Sequence, residues 1–427
     1  MRGLVQGFAL QWRYMWRTGV LPSGAAAAVL SVVVAPHLAR GDGTAEGARQ
    51  VLVNLALGGA FAVVAVAALV AACGAFADER STKRLALTLT RPVSMCAMWL
   101  GKFAAIVSAA AVSLAAAMVA LLCVAGWGGE CTRLVSPVMP TIAEESLAEY
   151  ERFLADPGTP PEVKKRPKAA IVKELMKRMG ERYDAVRPGE SIEWRFELPG
   201  GTRAVGARFR FAAEFGVRTT VSGVFSLRAE GAGEDGFFAV VTNLTRSVLD
   251  VPLASTGKAE TARGGMAVLK FRNTGRGDVM LRPRRDLFLT VPGDSAAANA
   301  LRAVLRELVV VAVLVALGMF FSAALSKSVS AFSAAVLVAV SLMAPAVLVQ
   351  FPSELEANGV TKFGLAVSKA VLKATSPVGD LHPIGSFAAG ECVERGELAR
   401  AAAQNALAVP FVLMLASAAV LSRRPPE

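Results

Sequence analysis

Residues 76–102 read FADERSTKRLALTLTRPVSMCAMWLGK, and they connect two apolar runs that are each long enough to cross a bilayer. Two helices buried in a soluble protein would not need such a charged, amphipathic connector. Membrane proteins concentrate Lys and Arg in their cytoplasmic loops, which predicts that this connector lies on the cytoplasmic face. From there it could transmit force between membrane helices and a soluble partner. Its basic residues are Arg80, Lys83, Arg84, Arg91 and Lys102.

The composition indicates an integral membrane protein with one soluble portion. Of the 427 residues, 54% are hydrophobic and only 19% are charged, whereas soluble domains average about 25% charged residues. The net charge of +12 is explained by topology and by anionic lipid headgroups. Nucleic-acid binding is disfavoured because the sequence has no basic patch interleaved with aromatic residues.

The apolar blocks predict six membrane spans, each near the roughly 20 residues that cross the hydrocarbon core. Before them, Leu4, Phe8, Trp12, Met15 and Trp16 recur at helical spacing, which predicts an interfacial helix over residues 1–19. We expect no buried charge in the spans. The predicted spans are 20–38, 51–75, 103–125, 303–325, 329–350 and 404–422.

The distribution of Lys and Arg predicts a cytoplasmic N-terminus and a multi-pass protein of the cell inner (plasma) membrane. The segments 1–19, 76–102, 326–328 and 423–427 would then lie inside the cell. Residues 128–300 would form an inserted extracytoplasmic domain, because long domains translocate largely regardless of their charge.

Two periodicities divide the predicted extracytoplasmic domain. Residues 142–183 are typical of helices, whereas apolar residues alternate with polar ones from about residue 190 to 293, as Trp194, Phe196 and Leu198 do. Short strands between Gly-rich turns indicate a β-sandwich or jelly roll. The predicted fold is therefore an α-helical integral membrane protein of six spans with an inserted α+β domain. Residues 352–403 form a further extracytoplasmic segment within the C-terminal membrane region 301–427.

Chemistry-bearing motifs are absent from the sequence. It contains no G-x-x-x-x-G-K-[ST] loop, no metal-binding cysteine spacing and only two histidines, so we predict neither an enzyme nor a cofactor or metal site. Cys131 and Cys392 would both face the oxidising side of the membrane. They form either a disulfide or two unrelated free thiols, and the sequence leaves both alternatives open.

The connector resembles the corresponding segment of type-2 ABC exporter permeases, the membrane subunits of ATP-binding-cassette transporters. That segment has the form E-x-E-x-x-T-L-x-x-L-L-x-x-P-V-S-R and is followed by G-K. Three positions depart from it, with Ser81 at the second acid, Arg84 at the threonine and Met95 at the arginine. The positions in step are Glu79, Leu85, Leu89, Pro92, Val93, Ser94, Gly101 and Lys102.

The resemblance implies a permease subunit of an ABC-type exporter, driven by a separately encoded ATPase. Two permeases would assemble as a homodimer or heterodimer in the bilayer, and ATP-driven closure of the ATPase would push the connector. Asp78, Glu79, Arg80, Lys83 and Arg84 would form a charged docking face. The residues implied in ATPase coupling are Glu79, Arg80, Arg84, Leu85, Leu89, Pro92, Ser94, Gly101 and Lys102.

Two alternative functions remain open at the level of sequence. The chain could be a membrane-anchored binding or sensing protein whose outer domain captures a ligand. It could also use ATP hydrolysis in a partner to work the outer domain mechanically without transport. The sequence does not reveal the substrate, although the expected lack of buried charge in the spans favours a lipid-like or large cargo over an ion.

Overall fold

The chain divides into two compact units in a computed structural model. The membrane-helix unit comprises Met1–Gly129 and Ser295–Glu427, and the sheet unit comprises Glu130–Asp294. The structure describes residues 2–39, 45–83, 94–125, 130–155, 168–180, 183–204, 206–210, 220–229, 237–244, 248–252, 263–350 and 382–423.

The described part of the membrane-helix unit is helical. The last helix, which begins at Arg395, contains a π-helical segment over Ala402–Ala408. The helices of this unit are α1 (Arg2–Arg17), α2 (Val20–Leu38), α3 (Ala45–Gly74), α4 (Ala77–Ser81), α5 (Met95–Ala125), α9 (Ala296–Ala324), α10 (Lys327–Gln350), α11 (His382–Ala388), α12 (Arg395–Ala401) and α13 (Val409–Arg423).

Five stretches of helix are long and apolar enough to cross a membrane: Val20–Leu38, Gly47–Ser81, Met95–Val124, Ala296–Ala324 and Arg395–Ser422. They correspond to the first, second, third, fourth and sixth predicted spans. The fifth predicted span falls on α10, which is helical from Lys327 to Gln350. Because only the side chains of α10 up to Val340 are described, its role as a sixth span stays a prediction.

Helix α9 forms the centre of the membrane-helix unit. It packs against α3, α5, α10 and α13, and 67% of its most apolar window is buried, against 22% for the Arg395–Ser422 span. Small residues allow this packing. A Cβ atom on Gly318 would lie 2.8 Å from the Cβ of Ala72. Such close approach is typical of membrane helices, which associate through small residues rather than through hydrophobic burial.

The sheet unit contains α6 (Ile142–Ala155), α7 (Lys168–Gly180), α8 (Pro283–Asp286) and ten strands within the described residues. Each strand pairing whose register is described is antiparallel. The strands are β1 (Glu130–Val135), β2 (Asp184–Val186), β3 (Ser191–Arg203), β4 (Gly206–Arg210), β5 (Thr220–Ala229), β6 (Phe237–Leu244), β7 (Val248–Pro252), β8 (Arg263–Asn273), β9 (Val279–Leu281) and β10 (Leu287–Ser295).

Two four-stranded sheets share one aromatic core. Their strand orders are β1-β10-β4-β7 and β3-β8-β5-β6, and β2 pairs with β9 in a separate ribbon. Phe209 of the first sheet stacks on Phe225 of the second, with ring centroids 4.3 Å apart. On β3, Trp194, Phe196 and Leu198 are buried while the residues between them are exposed. The predicted alternation of this strand is therefore confirmed.

The coarse fold prediction is confirmed. The chain is a helical membrane protein with a β-containing domain, and its longest helices carry the apolar runs that were expected to enter the bilayer. Strands β3 to β10 lie in the region of two-residue periodicity, whereas β1 and β2 lie before it.

Candidate functional site: the connector hub

The connector leaves α3 through a tight turn and returns through α5. After Gly74 the chain turns at Ala75 and Phe76, enters α4, and reaches Lys83 in a left-handed backbone conformation with a φ of 56°. This conformation is uncommon for a residue other than glycine, and it ends the helical turn. Ser94 begins the return, since its carbonyl accepts the amide of Met98 at 3.0 Å and its hydroxyl accepts that of Ala97 at 3.4 Å. Serine is a preferred N-cap because it satisfies such amides.

A buried ion pair joins the two ends of the connector. Lys102 has no exposed surface, and its ammonium lies 2.6 Å from Glu79 Oε2. The same ammonium donates to the carbonyl of Ala75 at 2.5 Å and lies 4.4 Å from the centroid of the Phe76 ring. A lysine ammonium is costly to bury unless it is paired and hydrogen-bonded. These contacts therefore fix the position of α4 relative to the start of α5.

Asp78 connects α4 to two further helices. Tyr14 of α1 donates its hydroxyl to Asp78 Oδ2 at 2.5 Å, and Lys327 at the start of α10 donates to the same oxygen at 2.8 Å. Partial burial raises the pKa of Tyr14 above its ordinary value, and the hydrogen bond to the Asp78 carboxylate raises it further. Tyr14 therefore remains a neutral donor at physiological pH.

The C-terminal end of α9 is bound to the same short helix. Arg80 donates to the carbonyl of Ala323 at 3.1 Å and also to that of Leu325. The hydroxyl of Ser322 accepts the backbone amides of Phe76 and Ala77, both at 3.0 Å. The last carbonyls of a helix have no partner within the helix, and a cation near them is favourable. Arg80 thus stabilises the end of α9 while it anchors the connector.

Helix α1 approaches α5 so closely that glycine is required on both sides. A Cβ atom on Gly101 would lie 2.3 Å from the carbonyl oxygen of Leu4 and 2.8 Å from the amide nitrogen of Phe8. A Cβ atom on Gly7 would lie 2.8 Å from the carbonyl oxygen of Met98. Gly101 and Lys102 therefore have separate roles. Gly101 leaves the space in which α1 packs against α5, and Lys102 binds Glu79 of α4.

Taken together, these contacts define what we call the connector hub. It gathers α1, α3, α4, α5, α9 and α10 at one end of the membrane-helix unit, where α3 and α9 end and α5 and α10 begin. Its residues are Gly7, Tyr14, Asp78, Glu79, Arg80, Gly101, Lys102, Ser322 and Lys327.

The structure places the predicted coupling residues in different positions. Glu79, Arg80, Gly101 and Lys102 meet in the hub, and Ser94 caps α5. Arg84, Leu85, Leu89 and Pro92 lie outside the described residues, as does Val93.

The docking role expected for Asp78, Glu79 and Arg80 stays a prediction. All three side chains are half-buried and bind helices of their own chain. Such contacts satisfy polar groups that would otherwise be costly next to apolar helices. In the described part of the connector, the exposed positions are Ser81, Thr82, Lys83, Ser94 and Leu100.

Sequence reasoning missed Tyr14, Ser322 and Lys327 as partners of the connector. Lys327 gave a weak signal, because it is the one charged residue in the predicted turn 326–328 between two apolar runs. Tyr14 and Ser322 gave none, since Tyr14 is 64 positions from Asp78 and Ser322 is 246 positions from Phe76. Only the packing of the helices brings such residues together.

One correction concerns charge within the spans. Glu307 lies in α9 and is 7% exposed, and neither carboxylate oxygen has a hydrogen-bond partner among the described residues. The expectation that the spans hold no buried charge was therefore wrong. The neighbouring Arg306 pairs instead with Glu397 at 3.2 Å.

The disulfide between Cys131 and Cys392 stays a prediction, while Cys73, Cys96 and Cys123 are free thiols. Electrophoresis of the full chain with and without reductant, after trapping of thiols, tests it. Labelling of both Cys131 and Cys392 without reduction would exclude the bond. Within the described ranges, no group of three or more His, Cys, Asp or Glu residues could hold a metal ion.

Comparison with known proteins gives no relative from which a function could be transferred. No protein-family model, curated protein or solved structure matches the chain.

Proposed function

We propose that the chain is the membrane-spanning permease subunit of an ABC-type exporter, driven by a separately encoded ATPase and working as a dimer in the plasma membrane. The proposal rests on the connector's resemblance to that family and on the hub in which the connector is held. In this arrangement the ATPase binds the cytoplasmic connector, and the hub distributes the resulting movement among the membrane helices.

The ion pair between Glu79 and Lys102 is the observation that carries the proposal. A force applied to a loop reaches the membrane helices only if the loop is held rigidly where it leaves and re-enters them. Lys102 is fully buried and binds Glu79 and the Ala75 carbonyl at once, so the two ends of the connector move as one body. Discrete, closely packed contacts of this kind carry coupling between distant sites.

The remaining hub contacts set the direction in which such a movement spreads. Asp78 reaches α1 through Tyr14 and α10 through Lys327, while Arg80 holds the end of α9. Helix α9 is the most buried of the five candidate spans. A displacement of α4 is therefore passed directly to the central helix of the unit.

The proposed docking surface begins where the hub contacts end. Ser81, Thr82 and Lys83 are exposed, and the resemblance extends this surface through Arg84 to Pro92. Basic residues near an interface mainly steer association and set its salt dependence. We therefore assign Lys83 and Arg84 to docking, and Glu79 and Lys102 to transmission.

Co-purification tests the docking step. The tagged chain is isolated from native membranes, and a retained polypeptide is scored only if it contains a G-x-x-x-x-G-K-[ST] loop. We expect the double substitution Lys83→Glu and Arg84→Glu to abolish retention. As a control, Arg49→Glu reverses one charge near the opposite end of α3 and should leave retention unchanged. Equal retention by all three proteins would contradict the proposal.

A hub variant separates transmission from docking. Tyr14→Phe removes only the hydroxyl that binds Asp78, so the exposed surface is unchanged. We expect this variant to retain the ATPase while the permease no longer stimulates ATP hydrolysis to the wild-type level. Unchanged stimulation would show that the hub does not transmit the movement.

A further inference from the structure

A cleft opens between α5, α9 and the helix that begins at Arg395. Its volume is about 420 Å³, which lies within the range of about 300–1,000 Å³ that ligand sites occupy. All three lining helices contain candidate membrane spans, so a molecule could enter this cleft from the bilayer. Aromatic and aliphatic side chains form most of its wall, among them Phe103, Leu305 and Leu398.

The charged residues in the wall are of one sign. Arg302 and Arg395 line the cleft, and no acid is among the described residues that line it. The cleft therefore joins an apolar wall to two arginine side chains.

The segment that carries Arg395 is fixed to α9. Asn299 is 2% exposed, and its amide group donates to the carbonyl of Glu391 at 2.7 Å and accepts the amide of Val393 at 2.8 Å. Arg302 donates to the carbonyl of Val393 at 3.1 Å. These contacts hold Arg302 and the backbone just before Arg395 in place before any ligand arrives, which lowers the entropic cost of binding.

A π-helical segment shapes one wall of the cleft. Over Ala402–Ala408 the helix widens, and the amide of Val409 bonds to the carbonyl of Gln404, five residues earlier. Ala402 and Ala406 of this segment face the cleft, and their small side chains leave space within it. Segments of π-helix are rare and frequently lie at functional sites.

We propose that this cleft binds an anionic phospholipid. An acyl chain lies along the apolar wall, and the phosphate is held at Arg302 and Arg395. Arginine is well suited to this role because its guanidinium presents several donors in a geometry that matches phosphate. The alternative occupant is a second copy of the chain, and no complementary charge favours its binding to the two arginines. The site does not depend on the exporter function, since lipid binding requires neither an ATPase nor transport.

Photoaffinity labelling tests the site on the full chain. The purified protein is placed in nanodiscs that contain a photoactivatable phosphatidylglycerol or, in a parallel arm, a photoactivatable phosphatidylcholine. We expect phosphatidylglycerol to label the cleft preferentially. Arg302→Gln and Arg395→Gln should each lower that labelling about fivefold, the ratio that a contact of about 1 kcal/mol gives.

Two further variants keep the test decisive. Arg400→Gln removes the same charge from an exposed position of α12 that does not line the cleft, so it should leave labelling unchanged. Ala402→Phe keeps both arginines and fills the space, so it should lower labelling from either lipid. Monodisperse size-exclusion profiles are required of every variant.

Two outcomes would overturn the proposal. The first is equal labelling by the two lipids, with no effect of either arginine substitution. The second is a disulfide between copies formed by Ala406→Cys together with no labelling of the cleft, which would identify a second copy as the occupant.

Discussion

The connector hub and the core of the sheet unit are held together by different means. The sheet core is aromatic, with Phe196, Phe209, Phe225 and Phe271 almost completely buried. The hub uses ion pairs, backbone carbonyls and glycine. Burying an aromatic ring away from water is strongly favourable, whereas lipid is as apolar as the side chains of a membrane helix. Packing in the bilayer is therefore specified by small residues and by polar contacts.

The largest expected effect comes from the sheet core. Phe271 has no exposed surface and packs against Phe225 at 4.7 Å between centroids, and Gly223 leaves the space that its ring occupies. Phe271→Ala should destabilise the sheet unit by about 3–5 kcal/mol. Hydrogen exchange of the full chain should show faster exchange in β5 and β8 and no change in the hub.

Phe332→Ala is the matched control for the same change of residue type. Phe332 is 70% exposed on α10, so its truncation should not alter exchange in the sheet unit. Faster exchange in the hub of Phe271→Ala than in that of the wild type, or equal effects of the two substitutions, would mean that the two regions are not stabilised separately.

The buried ion pair gives the next largest effect. Lys102→Met leaves Glu79 without its partner, and breaking a buried pair costs about 3–5 kcal/mol. We expect a value near the lower end, because the Glu79 side chain is 23% exposed and reaches water. Thermal unfolding in a fixed detergent measures the loss, and adding Glu79→Gln should restore part of it.

The surface pair Arg178–Glu174 supplies the contrast. Its side chains are 73% and 55% exposed, so Arg178→Met should have little effect on stability. If Lys102→Met were as mild as Arg178→Met, the ion pair would not hold the connector.

Glycine at the crossing of α1 and α5 is the third point of comparison. Gly101→Ala forces a Cβ against the backbone of α1, and overpacking of this kind costs about 1–3 kcal/mol. Gly58→Ala is the control, since nothing lies within 4 Å of the added carbon and alanine favours a helix by up to about 1 kcal/mol. Thermal midpoints should move in opposite directions, and a shared direction would contradict the packing of α1.

The smallest expected effect tests the buried carboxylate of α9. Glu307 lacks a described hydrogen-bond partner, so Glu307→Leu should raise stability by about 1–2 kcal/mol, the desolvation cost of an unsatisfied group. Thermal unfolding checks this against Glu307→Gln, which keeps a polar group and should raise stability less. A loss of stability in Glu307→Leu would show that the carboxylate is satisfied in the folded protein.

The sequence predicted the elements better than their contacts. Apolar runs located the helices that could span a bilayer, and alternation located strand β3 with Trp194 and Phe196 inward. The motif directed attention to Glu79, Gly101 and Lys102, but not to the residues that contact the connector. These partners lie far along the chain, as Ala323 does from Arg80, and only helix packing brings them together. The sequence reasoning missed Glu307 as a buried acid because apolar residues surround it in its predicted span.

The most direct test of the account is the side of the membrane on which the connector lies. Lys83→Cys and Arg49→Cys are introduced singly after all five native cysteines are replaced by serine, and a membrane-impermeant maleimide is applied to intact cells and to inside-out vesicles. We predict labelling of position 83 only in inside-out vesicles and of position 49 only in intact cells. Labelling of position 83 in intact cells would contradict the proposal that the connector lies on the cytoplasmic face and binds an ATPase there.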